Sequence, residues 1–211
     1  MRSIEEDKHG LMYRNLQNMI KSRGQIVNDE SVYTEDTFNQ LLLTHKYVTI
    51  SATRPNTNIR GPANTHYVLI AAGSSIANRT LEFKKLISTI KIPKKTVVEI
   101  MIISESEHNT YIANFVKDYM REHPQVNISN YTYDLLIPNV IEHTLVPQHY
   151  IASETELQEY FKHTRSTPSN LPRILSTDPV AIWYDFRHGM IVGVKRLSDS
   201  AGITTIYRKC Y

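Results

Sequence analysis

Among 211 residues there is one cysteine, Cys210, so an internal disulfide is excluded and a reducing compartment is expected. No sign of charge dominates: 24 Lys and Arg stand against 21 Asp and Glu, a net charge of +3. That leans toward anionic partners but falls short of the basic footprint of a self-sufficient nucleic-acid binder. No run approaches the roughly 20 apolar residues that span a bilayer, so no membrane role is expected. The opening MRSIEEDKHG carries acids and no apolar core, so it does not read as a secretory signal. Internal repeats and an obvious basic import cluster are also missing. So are a Gly-x-Ser-x-Gly elbow and a Cys–His signature, which argues against a hydrolase.

What is present is an ordinary globular composition, 41% hydrophobic and 21% charged, in a length that suits one large domain or two small ones. Leu11, Met12, Leu16, Met19 and Ile20 share one helical face before Gly24, which predicts a helix over about residues 5–23. Thr34 caps a second helix to Leu43, with Glu35 and Asp36 in its first turn. Residues 47–52 alternate as a strand, Arg54–Thr65 is a loop with Pro55, Gly61 and Pro62, and His66–Ala72 is a second strand. A helix with Lys84 and Lys85 on its outer face follows around Leu81–Ile90. Thr96–Ile103 is the most β-rich run, apolar enough to be covered on both faces. Tyr111-Ile112, Phe115-Val116 and Tyr119-Met120 recur every four residues as an amphipathic helix whose stripe is core, ending at His123-Pro124. Asn130–Tyr133 is one more strand. Strands alternating with helices predict a small sheet flanked by helices.

The pattern changes at Leu135–Pro138, and a domain boundary is expected there, giving units 1–136 and 137–211. Glu142–His149 is expected as a short strand closed by Pro147. Ser153-x-x-Glu156 has the form of a capping box, and Leu157, Tyr160 and Phe161 point inward from the helix it starts. Ser166–Asn170 interrupts the chain before its best-specified stretch, Leu171–Arg208. There, Asp178-Pro179 starts a helix and His188-Gly189 is its expected stop. Met190–Arg196 and Ile203–Arg208 then read as two strands of a hairpin, with Leu197–Gly202 as the loop.

Three ordered segments carry a family resemblance. They are His143-Thr144-Leu145-Val146-Pro147-Gln148-His149; Leu171-Pro172-Arg173-Ile174 with Asp178-Pro179-Val180-Ala181; and Arg196 with Ser198, Ala201-Gly202 and Tyr207-Arg208. Together they resemble the C-terminal domain of the fifth subunit of eukaryotic DNA-dependent RNA polymerases, the H subunit of archaea. The opening helix ending in Ser22-Arg23-Gly24, the strand Val97–Ile103 and the total length fit the eukaryotic form. The resemblance implies a non-catalytic subunit in transcription: a restriction-endonuclease-like N-terminal jaw near downstream DNA, and a small α+β C-terminal assembly domain on the largest subunit. No cofactor and no metal are expected. This chain departs from the family at Asp185 (usually Gly), Gly193 (Lys), Leu197 (Pro) and Ile203 (Arg). Ser104–His108 replaces the jaw's Thr-Pro-Ser-Ala loop, and its two acids oppose phosphate contact. These departures, with 13 Tyr and abundant Asn and Ile suggesting an AT-rich genome, point to a large DNA virus, with a protist as the alternative. The compartment follows: nucleus if cellular, host cytoplasm and virion if viral.

The resemblance offers as subunit-interface residues His143, Pro147, His149, Arg173, Asp178, Pro179, Val180, Arg196, Ser198, Ala201, Gly202, Tyr207 and Arg208. Arg173, Arg196 and Arg208 suit interface anchors and internal ion pairs equally. Asp178-Pro179 and Ala201-Gly202 read as shape-setting. His143 and His149 have the spacing of neither a helical pair nor a zinc finger, so ordinary strand and turn histidines are the plainer reading. Lys84, Lys85, Lys94 and Lys95 are the candidates for DNA phosphates, against a plainer reading as a solvated face. A nuclease needs clustered carboxylates beside a Lys, and the central strand offers Glu99 alone. The alternative to a polymerase subunit is a free-standing nucleic-acid-binding transcription regulator that carries the assembly domain.

Overall fold

The chain divides at Pro138 into two units, Met1–Pro138 and Asn139–Tyr211, in a computed structural model that describes residues 4–55, 63–77, 79–90, 97–198 and 202–211. In the first unit, helix α1 (Ile4–Ser22) buries Met12, Leu16, Met19 and Ile20, the face its spacing predicts. It stops where Gly24 takes a left-handed φ of +67°. Strand β1 is only Ile26–Val27. Helix α2 (Glu35–His45) begins as expected, with Thr34 Oγ1 accepting from the Thr37 N–H at 3.2 Å. Then come β2 (Tyr47–Arg54), β3 (Ala63–Ile70), α3 (Thr80–Thr89), β4 (Val98–Ser104), α4 (Thr110–Glu122) and β5 (Val126–Thr132).

These strands form one sheet in the order β1-β2-β3-β4-β5, antiparallel through β3 and parallel from β3 to β5. Side chains alternate between faces, and β4 needs cover on both. Ile100 and Ile102 pack with Val68, Ile70, Phe83, Leu86 and Ile112 under α3 and α4. Glu99 and Met101 stand opposite Thr65 and Tyr67 in register, on the other face. A polar chain runs through that second face. Arg23 Nη1 donates to the Tyr67 hydroxyl at 3.3 Å, that hydroxyl donates to Gln25 Oε1, and Gln25 Nε2 donates to Thr65 Oγ1 at 2.7 Å. Thr65 Oγ1 in turn donates to Glu99 at 3.4 Å.

The second unit holds β6 (Gln148–Ile151), α5 (Glu154–Thr164), β7 (Arg173–Ile174), α6 (Pro179–Tyr184), β8 (Ile191–Ser198) and β9 (Gly202–Cys210). Its sheet order is β6-β8-β9-β7, with only the β7–β9 pair parallel. Helix α6 covers one face, where Val180 and Ala181 meet Val192, Val194 and Cys210. Helix α5 covers the other, where Leu157, Tyr160 and Phe161 meet Leu171 and Tyr207.

Several boundaries differ from those the sequence predicts. The expected strand Glu142–His149 is a 3-10 turn at Val140–Glu142, then a loop, and β6 starts only at Gln148. Pro147 has no N–H to pair, and His143 Nδ1 accepts the Leu145 N–H at 3.2 Å, which locks a turn instead. Helix α6 ends at Asp185, not at His188-Gly189. Asp185 takes the left-handed conformation (φ 57°), and the Phe186 N–H closes back on the Ala181 carbonyl at 2.8 Å. β5 begins four residues before Asn130, and β3 begins at Ala63, three before His66. Leu197 and Gly202 lie in the strands, so any hairpin loop falls within 199–201, outside the described residues. Tyr111 is 78% exposed, so the stripe on α4 is core only in part. Among the described residues no helix is long and apolar enough to cross a membrane.

Candidate subunit-docking surface

The two faces of the second sheet can be read from its register. Val192, Val194 and Arg196 alternate along β8, and they pair with Arg208, Ile206 and Thr204 on β9. His149 on β6 pairs with Val194 and joins that face. Asp178 reaches it from the start of α6, where its carboxylate accepts the Val180 N–H at 2.9 Å. Burial pushes the His149 imidazole below its ordinary pKa. Nδ1 contact with the Pro147 carbonyl (2.6 Å) and the Asp178 charge oppose that, while Arg208 and Arg196 reinforce it. His149, Arg196, Arg208 and Asp178 thus lie on the α6 side of the sheet, whose apolar residues Val192 and Val194 are buried.

The α5 face is different. Glu156 accepts hydrogen bonds from both the Tyr150 and the Tyr207 hydroxyls. Burial alone would raise its carboxyl pKa. The two tyrosines, the Ser153 N–H and Lys195 overcome that and hold it below the ordinary value. The same Glu156 N–H donates to Ser153 Oγ at 3.3 Å, so the capping box and the tyrosine clamp share one side chain. Burial first, then the Glu156 carboxylate, push the Tyr207 hydroxyl well above its usual range. Gly193 stands opposite Tyr150, and a Cβ there would come within 2.5 Å of the tyrosine ring. Here the glycine leaves room for the tyrosine's close approach, and its role does not come from backbone angle.

The thirteen interface candidates therefore do not form one patch. His149, Arg196, Arg208, Asp178 and the exposed Pro179 gather at the α6 face. Arg173 belongs to the opposite face by its pairing with Lys209, and its guanidinium lies 4.4 Å from the centre of the Tyr211 ring. Arg208 Nη1 donates to the Arg173 carbonyl at 3.4 Å, so it also ties β9 to β7. Tyr207 and Val180, at 6% and 7% exposure, are core residues that shape the surface from beneath and do not line it. His143 is exposed and Pro147 half-buried in the turn before β6. Gly202, with φ +69°, opens β9. Ala201 and the Ser198 side chain lie outside the described residues, as do Lys94 and Lys95. Lys84 and Lys85 are exposed on α3, with the Lys84 ammonium 5.0 Å over the Phe115 ring. The residues that sequence reasoning missed are Tyr150, Glu156 and Lys195. Their only sequence signal was the capping box, because the clamp joins β6, α5 and β9, which come together only in space.

Among the described residues no three His, Cys, Asp or Glu side chains stand together as a metal site would require. Cys210 is buried, its thiol pushed up by burial, and it faces the Phe186 carbonyl at 3.4 Å. The C-terminal unit is thus a four-stranded sheet between two helices, with charged residues on its α6 side and a tyrosine clamp on its α5 side. The family model for the RNA polymerase Rpb5 C-terminal domain matches residues 138–210. DNA-directed RNA polymerase subunit Rpo5 of Thermococcus kodakarensis is 39% identical over 70 residues, 33% of this chain and 85% of that protein. The rpabc1 subunit of RNA polymerases I, II and III of Dictyostelium discoideum is 32% identical over 102 residues, 47% of this chain and 52% of that protein. The corresponding RPABC1 of Caenorhabditis elegans is 34% identical over 85 residues, 40% of each chain. The chain thus spans about half the length, or less, of the eukaryotic relatives it matches. It belongs to the Rpb5/Rpo5 family of DNA-directed RNA polymerase subunits.

Proposed function

We propose that this protein is a non-catalytic structural subunit of a multisubunit DNA-directed RNA polymerase, and that its C-terminal unit docks on the largest subunit. One observation carries the reading. The family match, residues 138–210, coincides with a folding unit of its own, and the Thermococcus relative, covered to 85%, matches over 70 residues. The module conserved in isolation is the one whose surface offers His149, Arg196, Arg208 and Asp178 to a partner. Arg is favoured at interface centres because its planar fork makes several bonds at once. The N-terminal unit is then the lower jaw, with a restriction-endonuclease-like core, beside downstream duplex DNA. Its parallel β3-β4-β5 core flanked by helices supports this, as does a Dictyostelium match longer than the C-terminal unit itself. Contact with DNA runs through backbone charge, is independent of sequence and weakens with salt.

The test is recovery of the tagged chain at native abundance. The largest polymerase subunit should come with it, and recovery of free monomer alone overturns the reading. Tight DNA binding by the isolated chain would favour the free-standing regulator instead. With a net charge of +3, weak binding is expected.

A further inference from the structure

The hairpin of the C-terminal unit outgrows its sheet. Strand β6 pairs with β8 only as far as Gln148↔Lys195, and β7 pairs with β9 only at Arg173↔Lys209 and Ile174↔Cys210. Beyond those points the described residues 196–198 and 202–204 pair only with each other. Leu197 and Ile203 face each other directly across this arm and are 90% and 69% exposed. Facing pairs of large aliphatic side chains stabilise a sheet when covered, and on a free arm they invite association. The opposite face of the arm carries Arg196 against Thr204, and the exposed Lys195 stands two pairs below Leu197 on the apolar side, its ammonium 5.3 Å over the Tyr150 ring. The arm is thus apolar on one side and cationic on the other, with a further cation at the base of the apolar side.

We propose that this arm inserts into a cleft on the largest polymerase subunit, one wall apolar to receive Leu197 and Ile203, the other carrying carboxylates for Arg196. This rests on the reading of the chain as a polymerase subunit and names the anchor of that docking. Charge complementarity selects the occupant: three features must be met together, an apolar pair, a guanidinium behind it and an ammonium beside it. A nucleic-acid backbone satisfies the cations but leaves the aliphatic pair in water. A second copy of this chain would bring two cationic arms together. An acid-rimmed apolar cleft on a protein satisfies all three.

The experiment uses the full chain co-expressed with the largest subunit. A photo-crosslinking residue at position 197 should join to that subunit, beside apolar residues with Asp or Glu next to them. The double variant Leu197→Ser, Ile203→Ser should lower recovery of the subunit at least tenfold while the thermal midpoint of the free chain stays within a degree or two, because both side chains are already in water. Arg196→Gln should weaken binding several-fold and flatten its salt dependence. If the wild type recovers the largest subunit and the double variant does so within twofold, the arm is not the anchor, although the subunit reading stands. Crosslinks to a second copy or to DNA overturn the arm's assignment as well. If the wild type itself recovers no polymerase subunit, the reading beneath it falls.

Discussion

Strands β4 and β8 each have neighbours on both sides, yet they solve burial in opposite ways. β4 is apolar on both faces and shielded along its length, from Val98 to Ser104, with only Glu99 half-buried. β8 is buried only to Val194. It then runs through Lys195, Arg196 and Leu197 into solvent. The first unit completes its own core. The second buries apolar clusters under α6 and α5 but leaves the end of its central strand exposed.

Truncation should expose this contrast most strongly. Ile102→Ala in β4 should cost about 3–4 kcal/mol in denaturant unfolding, because it opens a cavity among residues that cannot collapse onto it. Leu197→Ala in β8 should change stability by less than about 0.5 kcal/mol, since nothing covers it. Equal costs would mean the arm is covered in the free chain. Next in size, Gly193→Ala should cost about 1–3 kcal/mol by forcing the Tyr150 ring aside. Removing the ring as well, in Gly193→Ala with Tyr150→Ala, should give less than the sum of the two single effects.

A smaller effect is expected from pH. His66 and His149 are both held by burial below their ordinary value of 6.5. Below that pH the unfolded chain binds more protons than the folded one. Their contribution is therefore present above pH 6.5 and is lost as pH falls through the folded values. Glu156, held below 4.5, adds a second loss at still lower pH. Tyr207, raised from 10.0, gives the reverse: its contribution is complete below pH 10 and fades above it. Thermal midpoints across pH should show all three limbs, and Glu156→Gln should flatten the most acidic limb while leaving the histidine limb in place. The smallest effect is expected at the end of α6. Asp185→Gly should move the midpoint little, within about 0.5 kcal/mol, because glycine takes φ 57° without strain and offsets the lost Arg187 pair at 3.0 Å.

Much of the fold was legible in the residues because the signals were local. Thr34, Ser153 and Asp178 each cap the helix they were expected to cap, and the α1 and β4 patterns bury as their periods require. β1 and β7, two residues each, had no period to read and exist only through their partners. Asp185 stands where the resemblance leads one to expect glycine. Its left-handed conformation explains that substitution, since Asp tolerates it better than most. The candidate site was legible only as a set of names. Arg173 and Arg196 looked alike in sequence, and strand alternation sends them to opposite faces.

By itself the sequence determined the helix starts, the doubly covered strand, the hairpin and the family, because caps, periodicity and ordered motifs act between residues near one another in the chain. Only the tertiary structure decided which of those motif residues reach the surface. Register put Tyr207 against Glu156, Gly193 under Tyr150, and Leu197 opposite Ile203 beyond the last pairing of β6. Those placements depend on which strands come together, and a one-residue change of register would have turned each of them to the other face.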